Sequence, residues 1–349
     1  MKILKFVFIC LPFWGLAQDK SLTISGFADI YYGYDFSKPI NNSRPNFLYN
    51  HSRNNEVNVN LAFLKATYQN DKVRANIALG IGTYMQYNYA AEPNALQHIF
   101  EANVGVKLGK NTWLDAGILP SHIGFESAIS KDCWTLSRSI LAENSPYFET
   151  GVKVTNSPSD KLTFSVMLLN GWQRITRVEG NSTPAFGTQL TFKPNDKTTL
   201  NWSTFVGNDK PDESRQMRYF NNFYAIFQAS KRLGFIAGFD YGVEQKSYKN
   251  TKYNTWLSPV LIAKLQVSEK WNLAGRAEYY KDANGVIIAA NINEFDIVGF
   301  SLNADYQIFN NVVWRIEARS LNTKKSNFNS STDLRDNNFS ALTSLAISF

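Results

Sequence analysis

The stretch that decides the fold is Asn338-Phe339-Ser340-Ala341-Leu342-Thr343-Ser344-Leu345-Ala346-Ile347-Ser348-Phe349, where the chain stops. One parity of this run carries apolar residues with Thr343 as the only polar member: Phe339, Ala341, Leu345, Ile347 and Phe349. The other parity carries Asn338, Ser340, Ser344 and Ser348. Because side chains alternate between the two faces of a strand, the run predicts a β-strand with one apolar and one polar face. A terminal aromatic residue on such a strand is typical of a barrel whose last strand closes the sheet and faces lipid.

The amino-terminal end has the pattern of an export signal. Lys2 and Lys5 precede an apolar run over residues 6–16, and small and polar residues follow it. This order predicts a secretory signal peptide over residues 1–17, and its apolar part is shorter than the roughly 20 residues that a membrane-spanning helix needs. We therefore expect residues 18–349 to form one exported domain.

The composition limits the class of protein. Aromatic residues make up 14% of the chain and charged residues only 19%, and no linker or low-complexity tract divides it. The formal charge of +7 falls to +5 once Lys2 and Lys5 are removed. The remaining basic residues are dispersed rather than clustered, which argues against nucleic-acid binding. Removal of Cys10 with the signal leaves Cys133 alone, so we expect no intramolecular disulfide.

The lengths of the connections organise the chain. Short polar turns are predicted at residues 70–71, 109–111, 157–160, 195–196, 230–232, 268–269 and 310–311. Eight long polar loops, named L1 to L8, are predicted at residues 36–54, 88–94, 120–145, 173–183, 208–214, 245–254, 282–293 and 321–336. Strict alternation of seven turns and eight loops predicts an all-β fold, a transmembrane antiparallel barrel of about sixteen strands. Turns at the periplasmic rim and loops outside would put both termini in the periplasm.

Alternation within the predicted strands assigns residues to the two faces. The second face is polar or glycine on nearly every strand, so we expect a wet interior. Parity points a set of charges inward as a lumen wall: Arg74, Glu101, Lys107, Glu149, Lys153, Lys264, Arg276, Glu278, Arg315, Glu317 and Arg319. The charges on neighbouring positions 276 and 278, and 315 to 319, interleave in sign, which fits wall-bracing pairs as well as a permeation path. A β-bulge would shift these assignments.

Aromatic residues are predicted to mark both membrane borders. The short-turn border carries Trp113, Trp271 and Trp314, and the loop-side border carries Tyr31, Tyr32, Tyr34, Tyr84, Tyr87, Tyr279 and Tyr280. Rings of this kind place their apolar bodies in lipid and their polar tips among headgroups.

At these residues the chain resembles the OmpL-like β-barrel porin family. The resemblance lies in the first strand Ile24-Ser25-Gly26-Phe27-Ala28-Asp29-Ile30-Tyr31-Tyr32 with Asn58, Leu61 and Ala62, and in a more specific middle segment. That segment contains Gly124-Phe125-Glu126-Ser127, Ser137-Arg138-Ser139, Ser145 to Lys153 and Leu169-Asn170-Gly171-Trp172-Gln173. The resemblance implies an outer-membrane porin of a Gram-negative bacterium, a channel for passive, weakly selective diffusion of small hydrophilic solutes and ions. It implies no catalytic residue and no cofactor.

The longest loop, L3, is the candidate for the narrowest part of the pore. It carries five charges of both signs: Glu126, Lys131, Asp132, Arg138 and Glu143. Facing a wet lumen, these charges would form a constriction that sets ion preference. The same charges could instead pair among themselves and pin the loop to the wall, or lie in a solvated outer loop. From the wall arginines we expect weak anion preference, shifted toward cations when Arg138 is replaced by Glu.

Other functions receive little support from the residues. Adjacent strand residues point to opposite faces, so Ser121 and His122 do not form a catalytic dyad. No spacing of His, Cys, Asp and Glu indicates a metal site. A non-conducting structural or adhesin-type barrel remains the alternative, because the sequence does not show an open lumen. The expected partners are outer-membrane lipid and lipopolysaccharide, small solutes, and the barrel-assembly machinery, which would read Phe349 as an assembly signal. A homotrimer is the candidate assembly.

Overall fold

The computed structural model describes residues 21–289, 294–324, 328–329 and 334–349. The predicted signal peptide lies outside the described residues. Sixteen strands form one closed antiparallel barrel in which each strand pairs with its sequence neighbour and β18 pairs with β1. The barrel strands are β1 (Leu22–Asp35), β2 (Val57–Gln69), β3 (Val73–Ile81), β4 (Ile99–Gly109), β5 (Thr112–Pro120), β6 (Phe148–Ser159), β7 (Leu162–Leu169), β8 (Ala185–Asn195), β9 (Thr198–Gly207), β10 (Arg218–Gln228), β11 (Leu233–Gln245), β12 (Tyr253–Gln266), β13 (Trp271–Asp282), β14 (Phe295–Phe309), β15 (Val312–Asn322) and β18 (Asn337–Ser348).

The connections alternate between short and long, which confirms the predicted architecture. In the structure the loops span residues 36–56 (L1), 82–98 (L2), 121–147 (L3), 170–184 (L4), 208–217 (L5), 246–252 (L6), 283–294 (L7) and 323–336 (L8). Short elements lie within them: α1 (Thr83–Asn88), the 3-10 turns Ser130–Asp132 and Asp212–Ser214, α2 (Ile140–Glu143), and the ribbon β16 (Phe328–Asn329) with β17 (Leu334–Arg335). Among the described helices, none has the length and apolar content needed to cross a membrane.

The register of β1 and β18 defines the two faces of the sheet. Phe27, Asp29 and Tyr31 are buried inside, whereas Ile24 and Ile30, which have the other parity, are exposed on the outer face. The same alternation runs around the barrel, and it leaves an outer surface of exposed aliphatic and aromatic side chains. Such a surface suits lipid, and closure of the sheet leaves no unpaired strand edge in the bilayer.

The aromatic borders differ in part from the prediction. Tyr32 faces outward, but its neighbour Tyr31 faces inward, since adjacent strand residues point to opposite faces. Tyr84 lies in α1 rather than at a strand end and is fully buried, and Tyr280 is buried inside the barrel. Trp113 also faces inward, where the Arg74 guanidinium lies 4.3 Å from its ring centroid. The predicted range of L2, residues 88–94, is too short, because residues 83–88 form the helix α1 and do not extend the strand β3.

The interior is also drier than the alternation predicted. Inward positions on β12 and β14 carry Trp256, Val260, Ile262 and Ile297, all of which are buried. These side chains have packing partners because loops fold into the barrel and cover them.

Candidate functional site: the lumen and the loops folded into it

L3 crosses the barrel from one wall to the opposite one. It leaves β5, and the strand β13 that it reaches is eight strands away in either direction around the ring. The Ile140 backbone N–H donates to Glu278 Oε2 at 2.7 Å. Leu136 N–H donates to Asn303 Oδ1 at 2.9 Å on the neighbouring strand β14. L3 therefore divides the lumen and rests on the far wall.

The far wall holds L3 through a buried ionic network. Arg276 is 2.9 Å from Glu317, and Arg319 is 2.7 Å from Glu278, with all four side chains essentially inaccessible. Arg276 also donates to the carbonyl of Ser137 in L3 at 2.7 Å. Removing one partner from such a network leaves an uncompensated buried charge. These wall charges brace L3 and do not contact a water-filled path.

Arg315 extends the same support toward the short-turn end of the barrel. Its guanidinium pairs with Asp305 on the adjacent strand at 2.7 Å. It also donates to the carbonyl groups of Ser130 and Cys133 in L3. The predicted wall charges Arg276, Glu278, Arg315, Glu317 and Arg319 thus face inward, but they are buried beneath the loop.

The five predicted charges of L3 do not lie together. Lys131 and Asp132 form a partly exposed ion pair at 2.8 Å. Arg138 is fully buried and donates to the carbonyls of Ser127, Leu136 and Ala128, which are its own loop. Glu126 and Glu143 are buried as well. The contacts of Arg138 hold L3 together internally and do not reach the barrel wall, and they give this residue no position on a water-filled path.

Glu126 fixes the start of α2 from within the loop. Its carboxylate accepts the backbone N–H of Ser139 at 3.0 Å and the hydroxyl group of the same residue. The Ser139 hydroxyl in turn accepts the Ala142 N–H at 3.2 Å, which caps α2. Burial raises the pKa of Glu126, and Arg276 and Arg138 oppose that rise.

Glu143 joins L3 to L1. Its Oε2 accepts the backbone N–H groups of Tyr49 and Asn50 at 3.0 and 3.1 Å, together with the Asn50 side-chain amide at 3.1 Å. Asn144 adds a 3.2 Å bond to the carbonyl of Phe47. Burial raises the pKa of Glu143 to about 6, against the lowering effect of these donors and of Arg138. We call this set of contacts between L1 and L3 the clasp.

An apolar core seals the clasp at the loop-side end of the barrel. Phe47 from L1 packs edge-on against Phe295 of β14, with ring centroids 4.8 Å apart. Further members come from L1, from other loops and from the strands around them, and they include Leu48, Ile123, Ile140, Trp172, Phe205, Phe220, Trp256, Ile288, Ile297 and Phe328. Burial of this apolar surface makes the inward position of L1 and L3 stable.

His122 pins the first residues of L3 to the near wall. Its Nδ1 is 2.7 Å from Glu149 on β6, and its Nε2 is 2.8 Å from the Thr204 carbonyl on β9. The ring lies over Gly187, where a side chain would overlap it. Burial lowers the pKa of His122, but the pairing with Glu149 and the bond to the Thr204 carbonyl together outweigh it, so the pKa is raised. Both ring nitrogens face an acceptor, so both donate when the ring is protonated.

A second set of wall charges is partly exposed; most of it lies on the strands opposite the network, and one member, Lys264, lies on β12 next to the network. Lys65 pairs with Glu101, and Arg74 pairs with Asp115. In contrast, three inward lysines have no ion pair within the described part of the chain: Lys107, Lys153 and Lys264. Lys264 instead lies 4.8 Å from the ring centroid of Trp134 in L3.

A cavity of about 330 Å³ separates L3 from the wall made by β2 and β4. Phe63 and Phe100 line it with stacked rings 4.9 Å apart, and Lys65 and Glu126 contribute its charged edges. Because Glu101 points inward, strict alternation would place Phe100 on the outer face, but a bulge opposite Ala78 and Leu79 shifts the pairing of β4.

The sequence held no signal for several of these residues. Asn50 and Asn144 join two loops that are far apart in the chain. The sequence pattern offers His122 only as the neighbour of Ser121. The Ser121 hydroxyl instead accepts the Ile123 N–H at 3.1 Å. Among the described residues, no three His, Cys, Asp or Glu side chains converge on a point where a metal ion could bind.

The fold matches solved outer-membrane barrels at low sequence identity. The anion-selective porin from Comamonas acidovorans is 9% identical, with a TM-score of 0.62 over 94% of this chain and 99% of that chain. The outer membrane channel DcaP of Acinetobacter baumannii is 11% identical, with a TM-score of 0.61 over 94% and 97%. The trimer form of OmpT from Vibrio cholerae is 10% identical, with a TM-score of 0.59 over 94% and 99%.

The sequence comparison identifies the family. No curated protein shows significant similarity to the chain. The sequence pattern of the family described as "Putative beta-barrel porin-2, OmpL-like" matches residues 21–349. Family and fold indicate a channel rather than an enzyme. The chain belongs to the OmpL-like β-barrel porins and is a diffusion channel of the Gram-negative outer membrane.

Proposed function

We propose that the channel is restricted and weakly anion-preferring, and that it carries small hydrophilic solutes past L3. The observation that carries this proposal is the imbalance on the wall that contacts water. On β4, β5 and β6 the carboxylates are paired, with Glu101 bound to Lys65, Asp115 to Arg74 and Glu149 to His122.

The inward cations Lys107, Lys153 and Lys264 carry no such partner. Because a narrow, poorly screened passage concentrates the field of its wall charges, unpaired cations favour anions there. The buried charges of the network cancel in pairs, so they contribute less to the field in the passage. L3 narrows the lumen without supplying the selective charge through Arg138.

The experiment compares reversal potentials in planar bilayers under a potassium chloride gradient. The Lys153→Glu/Lys264→Glu variant should shift the reversal potential toward cation preference, since it turns two unpaired wall cations into anions. The matched control is Lys161→Glu/Lys231→Glu, which changes the same charge in short turns outside the barrel wall. Equal shifts in both variants would refute the assignment of selectivity to the wall lysines.

We also propose how the protein is exported, oriented and assembled in the outer membrane. Residues 1–17 would be removed on export, leaving both termini in the periplasm and loops L1 to L8 outside. The final strand, with Phe349 on its lipid face, would be read by the barrel-assembly machinery. A homotrimer is the proposed assembly, supported by the trimer form of OmpT. We assign no catalytic activity, because the family and the fold are those of diffusion channels.

A further inference from the structure

One sector of the loop-side rim is strongly cationic. L6 carries Lys246, Lys249 and Lys252, all exposed, and the run from residue 245 to residue 253 contains no Asp or Glu. Arg215, at the end of L5, is exposed beside them. No ion pair is found for any of the four within the part of the chain that the structure describes. We call these four residues the cationic rim.

The cationic rim is held in place by ordered loop structure. Gln216 donates to the Lys246 carbonyl at 2.7 Å, which joins L5 to L6. Within L6, the Lys246 N–H donates to the Lys252 carbonyl at 3.1 Å, and Asn250 Oδ1 accepts the Lys252 N–H at 2.9 Å. The cations are therefore presented by a short, internally bonded hairpin.

Tyr248 draws two of the cations together. The Lys249 ammonium lies 5.0 Å and the Arg215 guanidinium 5.9 Å from its ring centroid. A ring face attracts cations without neutralising their charge. The acidic residues nearest in sequence to the four cations are Asp212, Glu213 and Glu244. Glu244 is paired with Arg218 and Lys210. Asp212 and Glu213 are then two carboxylates against four cations, so the sector keeps a positive excess.

The lipid-facing surface directly below this sector is aromatic. Tyr219 of β10 and Tyr253 of β12 face outward, half exposed, with ring centroids 6.1 Å apart. Tyr241 lies on the same outer face of β11, the strand between β10 and β12, two residues further from the loops than the position that pairs with Tyr219. Tyrosines in such a belt occupy the level of lipid headgroups. The cationic rim thus stands at the height of the headgroups, and its charge complements phosphate.

We propose that the cationic rim, Arg215, Lys246, Lys249 and Lys252, binds the phosphate groups of phosphorylated glycolipid in the outer leaflet. Ammonium and guanidinium groups bind phosphate by charge-assisted hydrogen bonds. Clusters of Lys and Arg beside a membrane-embedded surface recognise anionic lipid by the same attraction. The inference rests on the proposed orientation, with the loops outside, and not on the proposed selectivity.

The test measures binding of purified lipopolysaccharide, truncated to lipid A and inner core, to the refolded barrel in neutral detergent. The probe is compared with the same glycolipid after removal of its phosphates, and inorganic phosphate is added as a competitor. The variant is Lys246→Glu/Lys249→Glu/Lys252→Glu, and a second variant replaces the same residues with Gln. The matched control is Lys110→Glu/Lys231→Glu/Lys270→Glu, in the short turns. Heat-modifiable mobility identifies the folded fraction of each.

The wild type and the short-turn control should bind the phosphorylated glycolipid equally and the dephosphorylated form weakly. The Glu variant should bind the phosphorylated form about tenfold more weakly or worse, with the Gln variant between them. Equal binding by the wild type and a folded Gln or Glu variant would overturn the proposal. So would displacement of the lipid by millimolar phosphate, which would indicate a site for free phosphate. Loss of binding only in the short-turn control would overturn the proposed orientation. The proposed channel function would still be tested independently, by conductance in planar bilayers.

Discussion

Phe349 closes the barrel against Gly26 in β1. The two residues exchange backbone hydrogen bonds, from Gly26 N–H at 2.7 Å and from Phe349 N–H at 3.0 Å. On the lipid face, the Phe349 ring occupies the space that a side chain at position 26 would need. The last residue of the chain therefore completes the seam between the first and last strands.

Displacing the Phe349 ring should impair assembly. Deletion of Phe349 should lower the folded, heat-modifiable fraction in outer membranes several-fold, and Gly26→Ala should lower it to a smaller extent because its methyl group displaces the ring. The control is Gly275→Ala, another outward strand glycine, whose nearest neighbour would be 3.6 Å away. Wild-type folded yield in the deletion variant would show that Phe349 is dispensable.

The role of Arg138 can be separated from its charge. Arg138→Lys keeps the charge but cannot reproduce the three bonds to the carbonyls of Ser127, Leu136 and Ala128. Each hydrogen bond to a charged group contributes about 1.5–3 kcal/mol, so L3 should loosen in this variant. Single-channel recordings should show a larger and noisier conductance with an unchanged sign of selectivity. A recording of Arg138→Lys that matches the wild type would show that only the charge of Arg138 matters for the conductance.

The clasp should be tighter at acid pH. The pKa of Glu143 is about 6 in the clasped state, against an ordinary value near 4.5, so protonation favours the clasp. The stabilisation is complete below pH 4.5 and is lost as the pH rises through 6, by about 2 kcal/mol. The raised pKa of His122 acts in the same direction, because its stabilising contribution is also lost at high pH.

Conductance should therefore be lower at pH 5 than at pH 8. Replacing Glu143 with Gln should remove much of this dependence, and Glu143→Ala should give the larger conductance at both values. A matched control is Glu179→Gln, in L4. A Glu143→Gln variant with the full pH response of the wild type would place the titrating group elsewhere.

The buried network should contribute strongly to stability. Glu317→Ala removes the partner of Arg276 and an acceptor of the Ser137 N–H at 2.5 Å. Leaving the arginine charge buried and unpaired should cost about 3 kcal/mol. Denaturant unfolding in lipid vesicles should show this loss, with Glu213→Ala in L5 close to the wild type. A change of under about 0.5 kcal/mol would show that water reaches the network.

The barrel could be predicted from the sequence because the patterns that specify a barrel are local in the chain. Alternating faces, short turns and a terminal strand ending on Phe349 depend on nearest neighbours in the chain, and they predict sixteen strands. The inward parity of Arg276 and Glu317 follows from the same rule. What covers these side chains does not, because L3 reaches them from a distant part of the sequence.

Loop packing was the part that local pattern could not supply. Arg138 is satisfied by backbone carbonyls, which every sequence has and which leave no residue signature. The Glu143 contact with Asn50 depends on L1 folding inward, and a bulge near Ala78 reverses the side of Phe100. A loop rich in polar residues can lie in solvent, bind to the barrel wall or narrow the pore. Only the tertiary contacts distinguish these three arrangements.

The most direct test of a restricted, weakly anion-preferring channel is single-channel recording of the refolded wild-type protein in a planar bilayer under a salt gradient. We expect discrete conductance steps and a small reversal potential with the sign of anion preference, which Lys107, Lys153 and Lys264 would produce. A folded barrel without conductance steps, or one with strong cation selectivity, would contradict it.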